Sequence, residues 1–182
     1  GNTATDYSKY GNDGTVRGSA LKFDGVNDYV DCGNDSSLDI TDEITIEAWV
    51  KPAVLTGIHL IVRKGYGLSP YNLYQQGGDL KFRYTVGGDW GGIDKTNVFT
   101  TNKWYHIVAT RTFNGTTATL KLFVDGEEVS NGTRDGISDS GNTNASIGWD
   151  NNDNYYFNGT IDEVRIYNRS LTSEEIQEHY NH

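Results

Sequence analysis

The chain has one cysteine, two prolines and no methionine. A lone Cys32 cannot build a disulfide framework within the chain, so a small disulfide-stapled scaffold is excluded; its plain reading is a small, partly buried strand residue. With so little proline, turns must come from glycine, asparagine and aspartate, and 22 glycines are there to supply them. No stretch approaches the roughly 20 apolar residues that a membrane-spanning helix needs, so no membrane insertion is expected. Basic residues are also scarce. Fifteen Lys and Arg stand against 25 Asp and Glu, for a net charge of −10, and no run of them forms a basic stripe. Such a surface repels phosphate backbones and anionic membranes, so nucleic acid is not an expected partner. Nothing at the N-terminus reads as a signal peptide. The Gly1-Asn2 start and the missing methionine read as a piece excised from a larger protein.

What the sequence has in quantity is aromatic side chains: 12 Tyr, 6 Phe and 4 Trp among 182 residues. Aromatics favour strands, where their bulk packs against cross-strand neighbours. The length suits one domain over residues 1–182, and no linker, charge run or repeat divides it. Short apolar stretches separated by turn residues predict a sandwich or barrel. The predicted strands are Ala20–Phe23, Tyr29–Cys32, Ile44–Lys51, Ile58–Arg63, Tyr71–Gln75, Leu80–Val86, Trp104–Arg111, Thr117–Val124, Ser146–Gly148 and Thr160–Tyr167. An Asp125-Gly126 turn leads into a further stretch, Glu127–Val129. In Ile44–Lys51, Ile44, Ile46, Ala48 and Val50 share one face, with Thr45, Glu47, Trp49 and Lys51 on the other. A Trp on the polar face lines an exposed groove or packs across strands. Trp104–Arg111 is apolar on both faces, so parity does not say which side meets the core. One helix is signalled over Ser173–Tyr180, capped by Thr172 with Glu175 three residues on, and stapled by Leu171 and Ile176. It is expected across an end of the sandwich.

The segment Ala20-Leu21-Lys22-Phe23-Asp24-Gly25-Val26-Asn27-Asp28-Tyr29-Val30 resembles the opening strand pair of laminin-G-like jelly-roll domains, of the concanavalin A-like lectin/glucanase superfamily. Ile44–Val50, Lys103–Ala109 with its Trp-x-His pattern, and Leu122–Gly126 resemble later strands of that family, in the same order. Phe157–Leu171 is the most specific match, and Asp6-Tyr7-Ser8 with the Gly11–Gly14 turn fits the family's start. The resemblance implies an all-β, two-sheet antiparallel jelly roll with one short C-terminal helix. It leaves function open, because this fold carries lectins, adhesion modules and glycosidases alike.

Three kinds of site are considered. A glycosidase needs two carboxylates on one face about 5–10 Å apart, and no strand offers such a pair; His106 reads as structural, and catalytic residues are expected to be none. Calcium takes oxygen ligands from carboxylates and amides. The stretch Asp150-Asn151-Asn152-Asp153-Asn154 gathers such side chains, with Asp150, Asn152 and Asp153 as candidate ligands and a solvated turn as the alternative. Pentraxins, which share the sandwich more distantly, carry a calcium loop at the corresponding point. A second candidate pairs Asp24 with Asp162, whose parity with Val164 and Ile166 turns it toward the core. Its partner is calcium, Arg165, Lys22 or, as favoured here, turn amides. Finally, sugars need exposed rings beside hydrogen-bonding groups. Trp90 and Asp89 in a glycine-flanked loop, Tyr66 and Tyr71 in a second, and Trp149 with Tyr155 in a third meet that description, although rim packing is the alternative for each ring.

These features lead to a non-catalytic carbohydrate-binding or adhesion module of a secreted or cell-surface protein, its partner a neutral or basic glycan or a cell-surface glycoconjugate. The alternatives are a structural or protein–protein interaction domain packing against its neighbours, and a glycosidase or lyase. Six Asn-x-Ser/Thr sequons, at Asn34, Asn114, Asn131, Asn144, Asn158 and Asn168, point faintly to an extracellular setting.

Overall fold

The computed structural model describes residues 2–4, 14–16, 20–141, 143–149 and 153–182. Its strands are β1 (Asn2–Ala4), β2 (Gly14–Val16), β3 (Leu21–Asp24), β4 (Val30–Asp31), β5 (Ile44–Pro52), β6 (Ile58–Lys64), β7 (Tyr71–Gln76) and β8 (Asp79–Val86). They continue with β9 (Asp89–Lys95), β10 (Tyr105–Phe113), β11 (Thr117–Val124), β12 (Glu127–Asp135), β13 (Ala145–Ile147) and β14 (Asn158–Tyr167), and helix α1 (Ser173–Asn181) closes the chain. β1 and β2 pair only with each other. The rest form two six-stranded sheets, in the orders β12-β11-β10-β5-β14-β3 and β4-β13-β6-β7-β8-β9. Every pairing is antiparallel. The chain is thus the all-β two-sheet jelly roll that the sequence implied, with its early strand β3 beside its last strand β14.

The core lies between the sheets and follows the period-2 alternation. Ile44, Ile46, Ala48 and Val50 of β5 have no exposed surface and meet Leu73, Leu80, Phe82 and Tyr84 of the facing sheet within one apolar cluster. Arg111 is buried in this region. It donates to the carbonyls of Asp42, Pro70 and Ile40 at 2.9, 2.7 and 3.0 Å, and its guanidinium lies 4.8 Å from the Tyr84 ring centroid. Burial lowers its pKa to about 10, yet three carbonyls and an aromatic face compensate the cation.

Two expectations are corrected. Helix α1 does not close an end of the sandwich. Its Ile176, with Leu171, packs on Val108 and Phe123, which point away from the core on the outer face of the first sheet. That explains the doubly apolar β10: Ile107 and Ala109 fill the core, and Val108 meets the helix. The capping box is present as read, Thr172 Oγ1 accepting from Glu175 N and Glu175 accepting from Thr172 N. The second correction is β9, a strand where the glycine-flanked run had suggested a loop.

Candidate functional site

The glycines around Trp90 serve a strand, not a loop. Gly87 and Gly88, at φ 58° and 85°, form the two-residue turn between β8 and β9, a left-handed geometry that glycine adopts without strain. Both turn amides donate to Asp139, at 3.0 Å each. Gly92 lies so close to β8 that a Cβ there would stand 2.0 Å from the Phe82 carbonyl oxygen. Trp90 therefore sits on an edge strand, paired with Thr85, and faces away from the core with 47% of its surface exposed. Asp89 is exposed, but it pairs with Val86 and so turns its side chain to the other face of β9 from Trp90, which separates the two expected contacts; its carbonyl accepts from Arg134.

The expected ring platform divides into two clusters, and one member leaves. Tyr66 and Trp90 come together: the Arg63 guanidinium lies 5.6 Å from the Tyr66 centroid and 5.5 Å from that of Trp90. Arg63 is only 6% exposed and donates to Gly65 O, so the two open rings share a covered cation. Trp149 belongs elsewhere. It packs on Tyr29 and lies nearly parallel to Tyr156, at 4.6 and 5.8 Å between centroids, and donates from Nε1 to Asp153 O. Tyr155 is partly exposed on the adjoining segment. Tyr71 must be withdrawn as a ligand contact, because it is fully buried in the core with its hydroxyl donating to Leu38 O. It shares the inward face of the second sheet with Leu73, and a loop-end position in sequence does not reveal this.

Among the calcium candidates, Asp150 and Asn152 lie outside the described residues. Asp24 and Asp162 are described and do not meet. Asp24 pairs with Asn158, four positions along β14 from Asp162, or about 13 Å at the strand rise. Asp24 is instead satisfied by the turn amides of Val26 and Asn27, which hold its carboxyl below the usual range. The parity argument for Asp162 fails at a β-bulge between Asp162 and Arg165, where Glu163 takes φ 51°. The extra residue leaves Ile161 and Ile166 inward and turns Asp162 outward. No group of three or more His, Cys, Asp or Glu able to hold a metal occurs among the described residues.

The bulge opens onto a constellation that the sequence reading did not assemble. On the outer face of the first sheet, His106, Trp49 and Asp162 form one cross-strand row, and Val108, Glu47 and Arg165 the next. Glu47 has no exposed surface. Its Oε1 accepts from Arg165 Nη1 and contacts His106 Nε2, both at 3.0 Å, and its Oε2 contacts His179 Nδ1 of α1 at 2.9 Å. Burial pushes the Glu47 carboxyl up, but its bonds with His106 and His179 outweigh this and hold it below its ordinary value. His106 Nδ1 is buried with no hydrogen-bond partner among the described residues. Trp49 stacks on Tyr180 of α1, and the Arg165 guanidinium also pairs with Glu163. Above this floor lies an open basin of about 680 Å³, lined by Trp49, Trp104, Asp162, Glu163, Arg165, Tyr167, His179 and His182. The alternation of β5 was the available signal, since it put Glu47 and Trp49 on one face; what sequence lacked was the helix that covers them.

Two six-stranded antiparallel sheets packed over one core make a jelly-roll sandwich. The model of the laminin-G-like family described as the concanavalin A-like lectin/glucanases superfamily matches residues 24–177, and the chain belongs to that family. No curated protein matches it by sequence. Among solved structures it resembles the botulinum neurotoxin serotype D ligand binding domain in complex with N-acetylneuraminic acid, with a TM-score of 0.70 and 15% identity over 98% of this chain and 50% of that one. The receptor binding domain of botulinum neurotoxin mosaic serotype C/D gives 0.71 and 14% over 98% and 49%. The binding domain of Paraclostridial Mosquitocidal Protein 1 gives 0.67 and 18% over 91% and 44%. The chain thus spans about half the length of these structures, and at such identities the likeness is one of fold. No helix among the described residues is long and apolar enough to cross a membrane.

Proposed function

We propose that the chain is a non-catalytic carbohydrate-binding or adhesion module of a larger secreted or cell-surface protein, taking a neutral glycan on the Trp90–Tyr66 surface. One observation carries this reading. Two rings, each nearly half exposed, are fixed by the same covered Arg63. Rings held in place in the free protein lose little entropy on stacking against a sugar's C–H face. The likeness to toxin binding domains, one of them in complex with N-acetylneuraminic acid, favours a binding role over a purely structural one. Glu47, with no exposed surface and three partners, is poorly placed to act on a substrate.

A shallow, wet site of this kind binds at micromolar to millimolar dissociation constants, about −8 to −4 kcal/mol. A glycan array followed by titration of the best neutral ligand is the test. Binding should be lost in Trp90→Ala and weakened in Tyr66→Ala; unchanged affinity in a folded Trp90→Ala variant would sink the proposal. Calcium is proposed to be held by the loop at residues 150–154, with Asp150, Asn152 and Asp153 as ligands, because carboxylates and amides are the donors this ion prefers. An ion that binds only the folded state at a hundredfold excess stabilises by about 2.7 kcal/mol. Chelation should then lower the melting temperature and calcium restore it; an unchanged melting curve speaks against that ion.

A further inference from the structure

The basin over Glu47 lies on the opposite outer face from Trp90 and owes nothing to it. We propose that this basin is a second ligand site, for a short oligosaccharide that carries free amino groups. Its floor is rigid, because Trp49 is stacked on Tyr180 and packed at a tilt against His106, and Glu47 is tied to β10, β14 and α1 at once. Two of its basic groups are already engaged: the Arg165 guanidinium is shared between Glu47 and Glu163, and His179 is bonded to Glu47.

Glu163 is thus already paired, and Asp162 is the acid at the wall with no ion pair among the described residues. The bulge presents both acids there, at the expense of a left-handed conformation at Glu163 that a non-glycine residue seldom adopts. Among the described residues Asp162 accepts its neighbour's amide alone, at 2.9 Å, and burial raises its pKa, the mark of a carboxylate short of compensation. An ammonium group supplies that charge. The indole faces of Trp49 and of Trp104, 37% exposed, favour a cation as well as the C–H face of a sugar ring. A lone ammonium, such as a lysine tip, would fill only one corner of about 680 Å³ lined both by Trp49 of β5 and by Trp104 just before β10. A few linked amino-sugar rings match both the volume, which lies in the ordinary range for small-ligand sites, and the pairing of Asp162 with Trp49 across neighbouring strands.

The probe is a glucosamine tetramer at neutral pH and about 0.15 M salt, compared by calorimetric titration with its fully N-acetylated counterpart. The amine form should bind at least tenfold more tightly. Asp162→Asn should weaken it about tenfold, as should Trp104→Ala, while Trp90→Ala leaves it unchanged. Glu163→Gln, on the exposed side of the bulge, supplies a second charge variant should Asp162→Asn melt early. Equal affinity for the two tetramers overturns the proposal. So does undiminished binding in a folded Trp104→Ala variant, which would mean that the acidic surface attracts the polycation without a site. Loss of neutral-glycan binding in Trp90→Ala, with the amine tetramer still bound, separates this site from the Trp90 surface; loss of both in that variant overturns the second site.

Discussion

The two outer faces of this sandwich are finished in opposite ways. Over β10, β5 and β14 the face is built like an interior. Thr45, Glu47, His106 and Val108 have no exposed surface, because α1 and the segment leading into it lie across them, with the Leu171 amide donating to Thr45 and His179 of α1 bonded to Glu47. Over β6 to β9 no helix among the described residues covers the sheet; Trp90 and Asp94 are exposed, Arg83 is half-buried and pairs with Asp94, and the Trp90 ring lies by the covered Arg63. The same fold thus yields one face whose polar groups are structural and one whose polar groups are free to change. On the first, a ligand can be read only at the basin beyond the helix; on the second, it can be read along the sheet itself.

Breaking the charge cluster on the covered face should have the largest effect. Glu47→Ala leaves the Arg165 guanidinium and two imidazoles without their shared acceptor, and removal of one partner from a buried ionic group costs about 3–5 kcal/mol. The matching substitution on the open face, Arg83→Ala, breaks an exposed pair with Asp94 and should cost about 0–1 kcal/mol. Denaturant unfolding of both variants measures the contrast, and equal losses would erase the distinction between the faces.

Next comes the helix itself. Ile176 is fully buried against Val108, Phe123 and Leu171, and Ile176→Ala should cost about 3 kcal/mol. Hydrogen exchange should show α1 and the outer rows of β10 and β5 losing protection while β7 and β8 keep theirs. Uniform loss across both sheets would mean that the helix is integral to the sandwich rather than a cover on one side of it.

Acid should act more gently, and from the same face. A carboxyl held below its ordinary value contributes stability that is present above its unfolded pKa, near 4.5 for Glu47, and is lost as pH falls through the folded value. Asp162 works the other way, since burial raises its pKa, so the neighbouring acids partly offset each other. Glu47→Gln should therefore flatten the decline in stability below about pH 4.5 relative to the unaltered chain. An unchanged slope would assign the acid limb to exposed carboxyls such as Glu175, which its Arg169 partner lowers to about 2.

The fold was legible because its rules are local. Alternation located β5, a capping box located α1, and ordered motifs joined them into a jelly roll. The site was legible only where it depended on a single ring. Trp90 and Tyr66 were found by composition, but their meeting at Arg63 needs the packing of three intervening strand pairs to be known. Tyr71 was misplaced because a residue at a loop's end can open a buried strand. Asp162 was turned the wrong way because one bulged residue inverts every side chain beyond it. Glu47 looked solitary because its partners, His106, Arg165 and His179, come from β10, β14 and α1, and nothing in their spacing announces a common neighbour.

The smallest expected effect compares two tryptophans, one on each face. Trp49 stacks on Tyr180 and packs against His106, so Trp49→Ala removes two ring contacts and part of the basin floor. Aromatic pairs add about 0.5–1.5 kcal/mol each beyond the area they bury, so a loss of about 2–3 kcal/mol is expected. Trp90 stands on an edge strand with 47% of its surface open and the covered Arg63 cation near its ring. Such a contact is worth about 0.5–1 kcal/mol at an exposed site, and the lost burial adds little, so Trp90→Ala should cost about 1 kcal/mol. Thermal melts of the two variants, paired with glycan titration, give the sharpest form of the comparison. A Trp90→Ala variant that melts like Trp49→Ala would place its indole among the structural groups and move the search for a ligand to the basin.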